Sequence, residues 1–232
     1  MEKVIVFDLG GTLMQYKGMP HSWISYYKHC FELVNKHFHF SLSKMEIMQS
    51  VEILKQYNPR YQPREIEYSS EFLFMEATKH WNISKPIEEI IDSFFSSMQL
   101  TAEIYEDTMP IIKELKNRNY KIAALTNLPS SMPDRIFKKD IPEIISVLDL
   151  YVSSESCGYR KPNKAGLEYI ADYYSINIEN LIFVGDEKLD IETAKNANCK
   201  SILICRDQSQ KNYKQDKTIC NLKELLTLDI LT

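Results

Sequence analysis

The sequence has no long apolar run and no block of like charge. No stretch approaches the roughly 20 apolar residues that a membrane-spanning helix needs, and the apolar run after Met1-Glu2-Lys3 is too short for the core of a signal peptide. A net charge of −4 without basic blocks offers no surface for nucleic acid or an anionic membrane. We therefore expect a cytoplasmic protein with neither kind of partner.

Cysteine is scarce and scattered. The five cysteines form no Cys-x-x-Cys pair and have no metal-ligand spacing, so they predict reduced thiols rather than disulfides. The five histidines all lie within the first 80 residues. His37 and His39 could share a metal ion, although two surface positions on a helix are the simpler interpretation.

The sequence does contain apolar runs that alternate with helical patterns. Such an alternation predicts an α/β fold with a doubly wound parallel sheet. The predicted strands are 4–7, 121–127, 150–152, 181–184 and 201–205. The helical patterns that alternate with them cover 108–119, 134–147, 163–174, 190–197 and 222–228, and a polar loop covers 207–216.

From about residue 20 to residue 100, helical periodicity replaces the apolar runs. The predicted helices are 22–39, 43 to about 58, 65–80 and 86–98, and Ser43 with Glu46 predicts a capping box on the second. We expect an α/β core of residues 1–15 and 104–232 with a helical bundle of 16–103 inserted into it. The connection 57–64 is either a substrate-binding lip or an exposed loop without a role.

Polar side chains follow three of the predicted strands. Because the carboxyl ends of parallel strands share one edge of a sheet, we expect these side chains to surround one point. They are Asp8 after the first strand, Thr126 and Asn127 at the end of the second, Lys161 in a later connection, and Asp186 with Asp190 after the fourth.

This set of residues points to phosphoryl chemistry. Asp8 and Asp186 would repel each other unless a cation joined them, and hard oxygen ligands suit Mg²⁺. Thr126, Asn127 and Lys161 are donors suited to phosphoryl oxygens. A carboxylate nucleophile that forms an acyl phosphate is an established covalent strategy.

The ordered motifs resemble those of the haloacid dehalogenase (HAD) superfamily, in the subgroup with a helical cap inserted after the first motif. The resemblance covers essentially the whole chain and implies a Rossmann-like core. The family's motifs are matched by Asp8-Leu9-Gly10-Gly11-Thr12 for Asp-x-Asp-Gly-Thr, by Thr126 for the strand-ending Ser or Thr, by Lys161 for the lysine, and by Gly185-Asp186 with Asp190 for the last motif.

The resemblance implies catalytic and metal-binding roles at the matching positions. Asp8 resembles the nucleophile and a metal ligand, and the Gly10 carbonyl and Asp186 resemble further ligands of Mg²⁺. Lys161 resembles the lysine that neutralises nucleophile and phosphate. Asp190 resembles the carboxylate that orients Lys161 or a metal-bound water, unless it only stabilises a helix N-terminus.

The remaining matches concern the substrate. Thr12, Thr126, Asn127 and Lys161 are implied to bind the phosphate of a small phosphorylated molecule. The sequence encodes neither the identity of that molecule nor the oligomeric state.

Gly10 is a departure from the family, because the phosphatases resembled here carry a second aspartate at this position. That aspartate protonates the leaving group and then activates water, and such assistance is typically worth about 10²- to 10⁴-fold in rate. We expect a Mg²⁺-dependent phosphatase that acts through an aspartyl phosphate, either on good leaving groups or with a borrowed acid. The candidate acids are Tyr16, Glu65, Glu67 and the histidines of the helical domain.

Two alternatives remain open. A phosphonatase-like or other C–X bond hydrolase would also lack the second aspartate, although the retained Asp186 argues against a dehalogenase. A phosphonatase uses a cap lysine as Schiff base, and the candidates are Lys17, Lys28, Lys36 and Lys55. The other alternative is a weakly active or non-catalytic protein that binds a phosphorylated ligand or a protein partner.

Overall fold

The computed structural model describes residues 3–18 and 23–229, in which strands alternate with helices. The strands are β1 (Lys3–Phe7), β2 (Met14–Tyr16), β3 (Ala102–Ile104), β4 (Tyr120–Thr126), β5 (Leu150–Ser153), β6 (Leu181–Gly185), β7 (Lys200–Ile204) and β8 (Lys217–Ile219). The helices are α1 (Ile24–His37), α2 (Lys44–Gln56), α3 (Ser70–Thr78), α4 (Ile87–Ser96), α5 (Thr108–Asn117), α6 (Asp134–Asp140), α7 (Pro142–Val147), α8 (Ser154–Cys157), α9 (Ala165–Tyr174) and α10 (Lys188–Asn196). Two 3₁₀ helices cover Ile178–Asn180 and Leu222–Thr227.

The described part of the chain contains one six-stranded sheet, in the order β5-β4-β1-β6-β7-β8, with every pair of neighbours parallel. After β1, the next strand of this sheet is β4, on one side of β1, and the chain later crosses over to form β6 on the other side. The carboxyl end of β1 is therefore the point where the winding reverses, which is where open α/β sheets bind ligands. The predicted doubly wound α/β fold is confirmed.

The strands of the sheet centre are apolar on both faces because helices cover both of them. Val4 and Val6 share one buried cluster with Phe183 of β6 and with Leu167 and Ile170 of α9. Each of these side chains is almost fully buried, and complete burial of an aliphatic or aromatic side chain contributes about 1.5–3 kcal/mol. The packing fixes β1 and β6 beside each other, and both strands lead into the candidate site.

The chain divides into two compact units. The first contains the described residues up to Gln15, Ala102–Asn127 and those from Ile141 onward, and it holds the parallel sheet. The second contains the described residues from Tyr16 to Thr101 together with Leu128–Asp140.

The second unit is helical and has an aromatic core. The Phe31 ring lies 4.8 Å from Phe94 and 5.6 Å from Trp81, and the Phe74 ring lies 5.0 Å from Phe94, all edge to face. Such geometry adds about 0.5–1.5 kcal/mol per pair beyond the area buried. The described residues include no helix with the length and apolarity to cross a membrane.

Several predicted boundaries differ from the structure. The predicted helix 65–80 begins only at Ser70, because the Ser69 side chain caps it by accepting from the Phe72 amide. The predicted helix 134–147 is two helices, since Ile141 adopts φ −134° before Pro142 and a residue before proline avoids the α conformation.

Other predictions are confirmed or corrected more simply. The capping box of Ser43 and Glu46 is present, and all five cysteines are free. The predicted helix at 222–228 is a 3₁₀ helix, and the short strands β2, β3 and β8 were not predicted. The predicted helix start at Ser22 lies outside the described residues, and α1 begins at Ile24.

Candidate active site

The carboxyl edge of the sheet brings the predicted residues together. Asp8 directly follows β1, and its amide donates to the Val184 carbonyl of β6 at 2.8 Å. Thr126 ends β4, which pairs with β1 through Phe7 and Ala124, and it lies opposite Ser153 of β5. Three neighbouring strands therefore deliver polar groups to one edge.

Three carboxylates form the centre of this site. Asp8, Asp186 and Asp190 each offer an oxygen within 4.8 Å of the others. The Lys161 ammonium lies 2.6 Å from Asp8 Oδ1 and 2.5 Å from Asp190 Oδ1. Asp8, Lys161 and Asp190 are 6%, 7% and 1% exposed, so water screens these charges very little.

Two glycines allow the carboxylates to approach so closely. Gly11 has φ +80°, and a Cβ there would lie 2.2 Å from Asp186 Oδ2. A Cβ on Gly185 would lie 2.3 Å from the Asp190 Cγ. Side chains at either position would push the acidic groups apart.

The turn between β1 and β2 is closed by two backbone carbonyls, and that of Met14 accepts from the Gly11 amide at 2.7 Å. The Leu9 carbonyl accepts from the amides of Thr12, Leu13 and Met14 at 3.2, 2.9 and 3.0 Å. The Thr12 hydroxyl then donates to Asp186 Oδ1 at 3.3 Å. Thr12 thus connects the turn to the acidic cluster.

Lys161 is held through its backbone as well as its ammonium group. Asn127 Oδ1 accepts from the Lys161 amide at 2.8 Å, and Asn127 Nδ2 donates to the Lys161 carbonyl at 3.3 Å. The Asn127 amide group therefore clamps the Lys161 peptide, a contact that the sequence analysis did not foresee. The predicted phosphate contact of Asn127 stays a prediction.

Asp190 makes both of the contacts that the sequence left open. Its Oδ1 accepts from Lys161, while its Oδ2 accepts from the Glu187 amide at 2.8 Å as part of a capping box on α10. The helix starts at Lys188, two residues before the predicted start, so Asp190 lies inside its first turn. Both oxygens of this carboxylate are already engaged by the protein.

Burial shifts the protonation of the cluster. It raises the pKa of Asp8 to about 7 although Lys161 opposes the shift. Burial, followed by repulsion from Asp8 and Asp190, raises the pKa of Asp186 to about 8. Burial disfavours the charged form of Lys161, but the two adjacent carboxylates outweigh that cost and raise its pKa.

The charges of the cluster fit a divalent cation. Three carboxylates face one ammonium group, so the fully ionised cluster has two negative charges in excess. Within residues 3–18 and 23–229, no lysine or arginine forms an ion pair with Asp186, which accepts instead from the neutral Thr12 hydroxyl. The acidic trio could therefore hold a metal ion with hard oxygen ligands.

Two of the acids proposed for the helical unit, Tyr16 and Glu67, already have other partners. The Tyr16 hydroxyl donates to Asp140 at 2.7 Å, and burial together with this bond raises the pKa of Tyr16. Glu67 forms a 2.9 Å ion pair with Arg64, whereas Glu65 is exposed. Among the candidate histidines, His21 lies outside the described residues.

The candidate Schiff-base lysines lie in solvent-accessible positions. Lys17, Lys28 and Lys36 are exposed, and Lys55 is half-buried beside Glu52 at 3.4 Å. A Schiff-base lysine needs burial or a neighbouring cation to lower its pKa. None of these four side chains is buried.

Arg206, which follows β7 at the same edge of the sheet, is not among the predicted site residues. Its guanidinium group donates to the Thr12 carbonyl at 2.6 Å and 3.2 Å and pairs with Asp107 at 3.0 Å. The sequence feature that could have indicated Arg206 is its position after a parallel strand. The partner, a backbone carbonyl, leaves no trace in the sequence.

The fold and the site together define an α/β protein with a buried cluster of carboxylates and one lysine at the carboxyl edge of a parallel sheet. Residues 2–198 match the model of the haloacid dehalogenase-like hydrolases, and the chain belongs to this family of hydrolases.

Similar proteins include curated phosphatases and solved HAD structures. A phosphoglycolate phosphatase of Vibrio vulnificus (strain CMCP6) is 29% identical over 117 residues, 49% of each chain. The chain therefore spans about half the length of the curated relatives it matches.

Two solved structures share the fold over nearly their full length. A HAD phosphatase from Thermococcus onnurineus has a TM-score of 0.63 at 18% identity and covers 97% of this chain and 96% of its own. A 2-haloacid dehalogenase from Pseudomonas syringae pv. Tomato DC3000 has a TM-score of 0.67 at 17% identity, with coverage of 98% and 97%. At these identities the likeness concerns the fold alone.

Proposed function

We propose that the protein is a Mg²⁺-dependent phosphatase for a small phosphorylated molecule, with Asp8 as nucleophile. The observation that carries the proposal is the pairing of two features in one buried cluster. Asp8 has an ammonium group at 2.6 Å, and Asp186 beside it has no cationic partner among the described residues. A nucleophile and a cation site at contact distance are what phosphoryl transfer to a carboxylate needs.

In the first step, an Asp8 oxygen attacks the phosphorus atom and the bond from phosphorus to the ester oxygen breaks. The leaving alkoxide or phenoxide takes a proton as it departs, and the phosphoryl group stays on Asp8. In the second step, a water oxygen attacks phosphorus, the bond to Asp8 breaks, and inorganic phosphate leaves. The water proton is released to solvent or to a basic group.

The chain's own residues position these steps. Lys161 balances the negative charge of Asp8 and of the incoming phosphate, and it is held in place by Asp190 and by the Asn127 clamp on its peptide. Thr126 at the end of β4 supplies a hydroxyl at the same sheet edge. Asp190 acts through Lys161 in this proposal, because both its oxygens are already engaged.

Asp8, Asp186 and the Gly10 carbonyl would hold Mg²⁺. When bound, the ion would offset the excess negative charge and polarise a phosphoryl oxygen as a Lewis acid. Burial raises the pKa of Asp8 to about 7 and that of Asp186 to about 8, and a bound cation would favour the ionised form of both. A cation is therefore expected to displace protons from the cluster.

Gly10 defines the class of substrate. It has no side chain to protonate the leaving group, and Tyr16 and Glu67 in the helical unit are engaged by Asp140 and Arg64. We therefore propose substrates whose leaving groups depart with little protonation, such as aryl or acyl phosphates. The phosphatase names of the curated relatives support phosphate ester hydrolysis, and phosphoglycolate belongs among the substrates to be tested.

Carbon–phosphorus cleavage is a weaker candidate. It requires a lysine of low pKa, and the four candidate lysines are exposed or half-buried. The helical unit, which we propose to be the cap, then contributes to substrate choice rather than to covalent chemistry.

The test is hydrolysis of p-nitrophenyl phosphate with and without Mg²⁺. We expect turnover that disappears in Asp8→Asn and on chelation. Asp149→Asn is the matched control, because Asp149 also pairs with a lysine, at 2.9 Å, but lies at the amino end of β5, away from the site.

Two further results decide between the alternatives. A trapped aspartyl phosphate without turnover would show that Gly10 costs the water-activation step. If neither turnover nor an acyl phosphate appears while Asp149→Asn behaves as wild type, the phosphatase proposal is wrong.

A further inference from the structure

We infer that Arg206 is a positioning residue that fixes the turn carrying Asp8 and Gly10 in its cation-binding conformation. This inference rests on the proposed function, because it concerns the same cation site. Arg206 lies beyond the matched family region, which ends at residue 198, and 194 residues from the Thr12 carbonyl that it binds.

The Arg206 grip is a contact of two guanidinium nitrogens with one backbone oxygen. Arg206 donates to the Thr12 carbonyl through Nη2 at 2.6 Å and through Nε at 3.2 Å. Hydrogen bonds from a charged donor are about twice as strong as neutral ones. The grip fixes the orientation of the Thr12 peptide, and with it the Thr12 hydroxyl that contacts Asp186.

The guanidinium group is itself held by two side chains. Asp107 accepts from it at 3.0 and 3.3 Å, and the Tyr105 ring lies 3.8 Å from its central carbon. Asp107 also accepts from the Leu222 amide at 2.8 Å. Because the Arg206 side chain is only 19% exposed and its carboxylate partner 7%, little water competes for these bonds.

The residue that follows Thr12 is anchored from the same segment. The Leu13 carbonyl accepts from the Thr108 hydroxyl at 2.7 Å and from the Tyr105 amide at 3.1 Å. Two consecutive carbonyls of the turn, those of Thr12 and Leu13, are thus held by hydrogen bonds. The turn can then hold the Gly10 carbonyl in one direction, as a ligand of a small cation requires.

The test is Mg²⁺ affinity measured by calorimetry without substrate. We expect Arg206→Ala to raise the Kd for Mg²⁺ by about 10- to 100-fold, which is the usual cost of losing a group that supports metal ligands. Arg206→Lys should lose most of the affinity as well, since an ammonium group cannot make the two-nitrogen contact. In turnover, the Mg²⁺ concentration for half-maximal rate should rise, whereas KM at saturating Mg²⁺ should stay unchanged.

Chemical rescue distinguishes a positioning role of Arg206 from a contribution to the stability of the fold alone. Guanidinium ion, at a concentration too low to unfold the protein, should restore Mg²⁺ affinity to Arg206→Ala, whereas methylammonium should not. Arg118→Ala is the matched control. Arg118 also binds one carboxylate, Glu114 at 2.9 Å, and one carbonyl, Leu226 at 3.1 Å, but it precedes the amino end of β4. It should show neither loss nor rescue.

Each result decides the question. An unchanged Kd in Arg206→Ala, or a loss that guanidinium does not reverse, overturns the positioning role. Should Arg206→Ala fail to fold, Asp107→Asn keeps an acceptor for the Leu222 amide while it removes the charge that orients Arg206, and an unchanged Kd there overturns the role equally.

Asp186→Ala distinguishes this failure from failure of the proposed function. Lost binding in Asp186→Ala with normal binding in the Arg206 variants overturns only the role of Arg206. A wild-type protein that binds no Mg²⁺ overturns both.

Discussion

Restoring an acid at Gly10 is the change that most directly tests the substrate argument. The structure allows it, because a Cβ at Gly10 meets no heavy atom within 4 Å and the backbone φ lies outside the left-handed region. The neighbouring Gly11 differs in both respects, with φ +80° and a Cβ that would lie 2.2 Å from Asp186. Gly10→Asp should therefore fold, and its carboxyl group should lie in open space beside the cluster.

The expected magnitude follows from the function that the new carboxyl group would acquire. Gly10 is exposed, so an added aspartate would not share the burial that raises the pKa of Asp8, but the excess negative charge of the adjacent cluster favours its protonated form. Such an acid is typically worth about 10²- to 10⁴-fold in rate, or about 3–5 kcal/mol in activation free energy. The gain should appear with alkyl phosphates, whose alkoxides need a proton, and should be small with p-nitrophenyl phosphate.

The assay compares kcat/KM for an aryl and an alkyl phosphate in the wild type, Gly10→Asp and Gly10→Asn. Asparagine has the same shape and no ionisable proton, so it controls for the effect of the side chain itself. Equal rates for Gly10→Asp and Gly10→Asn on the alkyl phosphate, with Mg²⁺ binding retained in both, would refute the reasoning.

Three further predictions concern the same cluster. Gly11→Ala should lower the free energy of unfolding in urea by at least about 1–2 kcal/mol, the cost of a left-handed residue with a Cβ, and should displace Asp186. Lys161→Met in metal-free protein should cost about 3–5 kcal/mol because it leaves buried carboxylates unpaired, whereas Lys116→Met at a partly exposed pair should cost at most about 1 kcal/mol. Without metal, the urea midpoint should fall as pH rises from about 4 to about 8, because Asp8 and Asp186 keep protons in the folded state that unfolded carboxyls lose near pH 3.9. Mg²⁺ should reduce this decline. A midpoint that rises over this range would contradict the raised pKa values of the two carboxyls.

The sequence predicts the centre of the fold better than its margins. The strands next to the site, β1, β4 and β6, are apolar runs buried on both faces, and such runs are a strong signal. The strands β2, β3 and β8 have three residues each, too few to show any periodicity. Their existence depends on pairing partners far along the chain, which a local pattern does not contain.

Helix ends show the same limit. The capping box at Ser43 was predictable because a side chain carries the signal. The late start of α3 depends on Arg64, whose guanidinium group donates to the Tyr57 and Ile66 carbonyls and thereby favours a non-helical connection up to Ser69. Bonds from a side chain to a backbone carbonyl compete with helix formation but are invisible in the spacing of apolar residues.

The site also has one part that the sequence predicts and another that it does not. The approach of Asp8 to Asp186 follows from strand order, because both directly follow parallel strands that end at one edge, whereas Lys161 lies in a connection and Asp190 in the first turn of α10. The contacts that arrange the cluster run through backbone atoms, namely the Asn127 clamp on the Lys161 peptide and the Arg206 grip on Thr12. Every residue has a peptide group, so no residue type marks these contacts in advance.

The fold and the site are identified by different features of the sequence: the fold by residues that suit their surroundings, and the site by residues that do not. The sheet is predictable because the central strands consist of apolar residues that are buried among other apolar residues. The residues of the cluster do not suit their surroundings, since three buried carboxylates share one lysine and two glycines remove the side chains that would separate them. Sequences tolerate such local conflict mainly at functional sites, and here a bound cation would relieve it. A chain that only needed to fold would be more stable with these carboxylates replaced, so their presence is itself an argument for a ligand at this edge of the sheet.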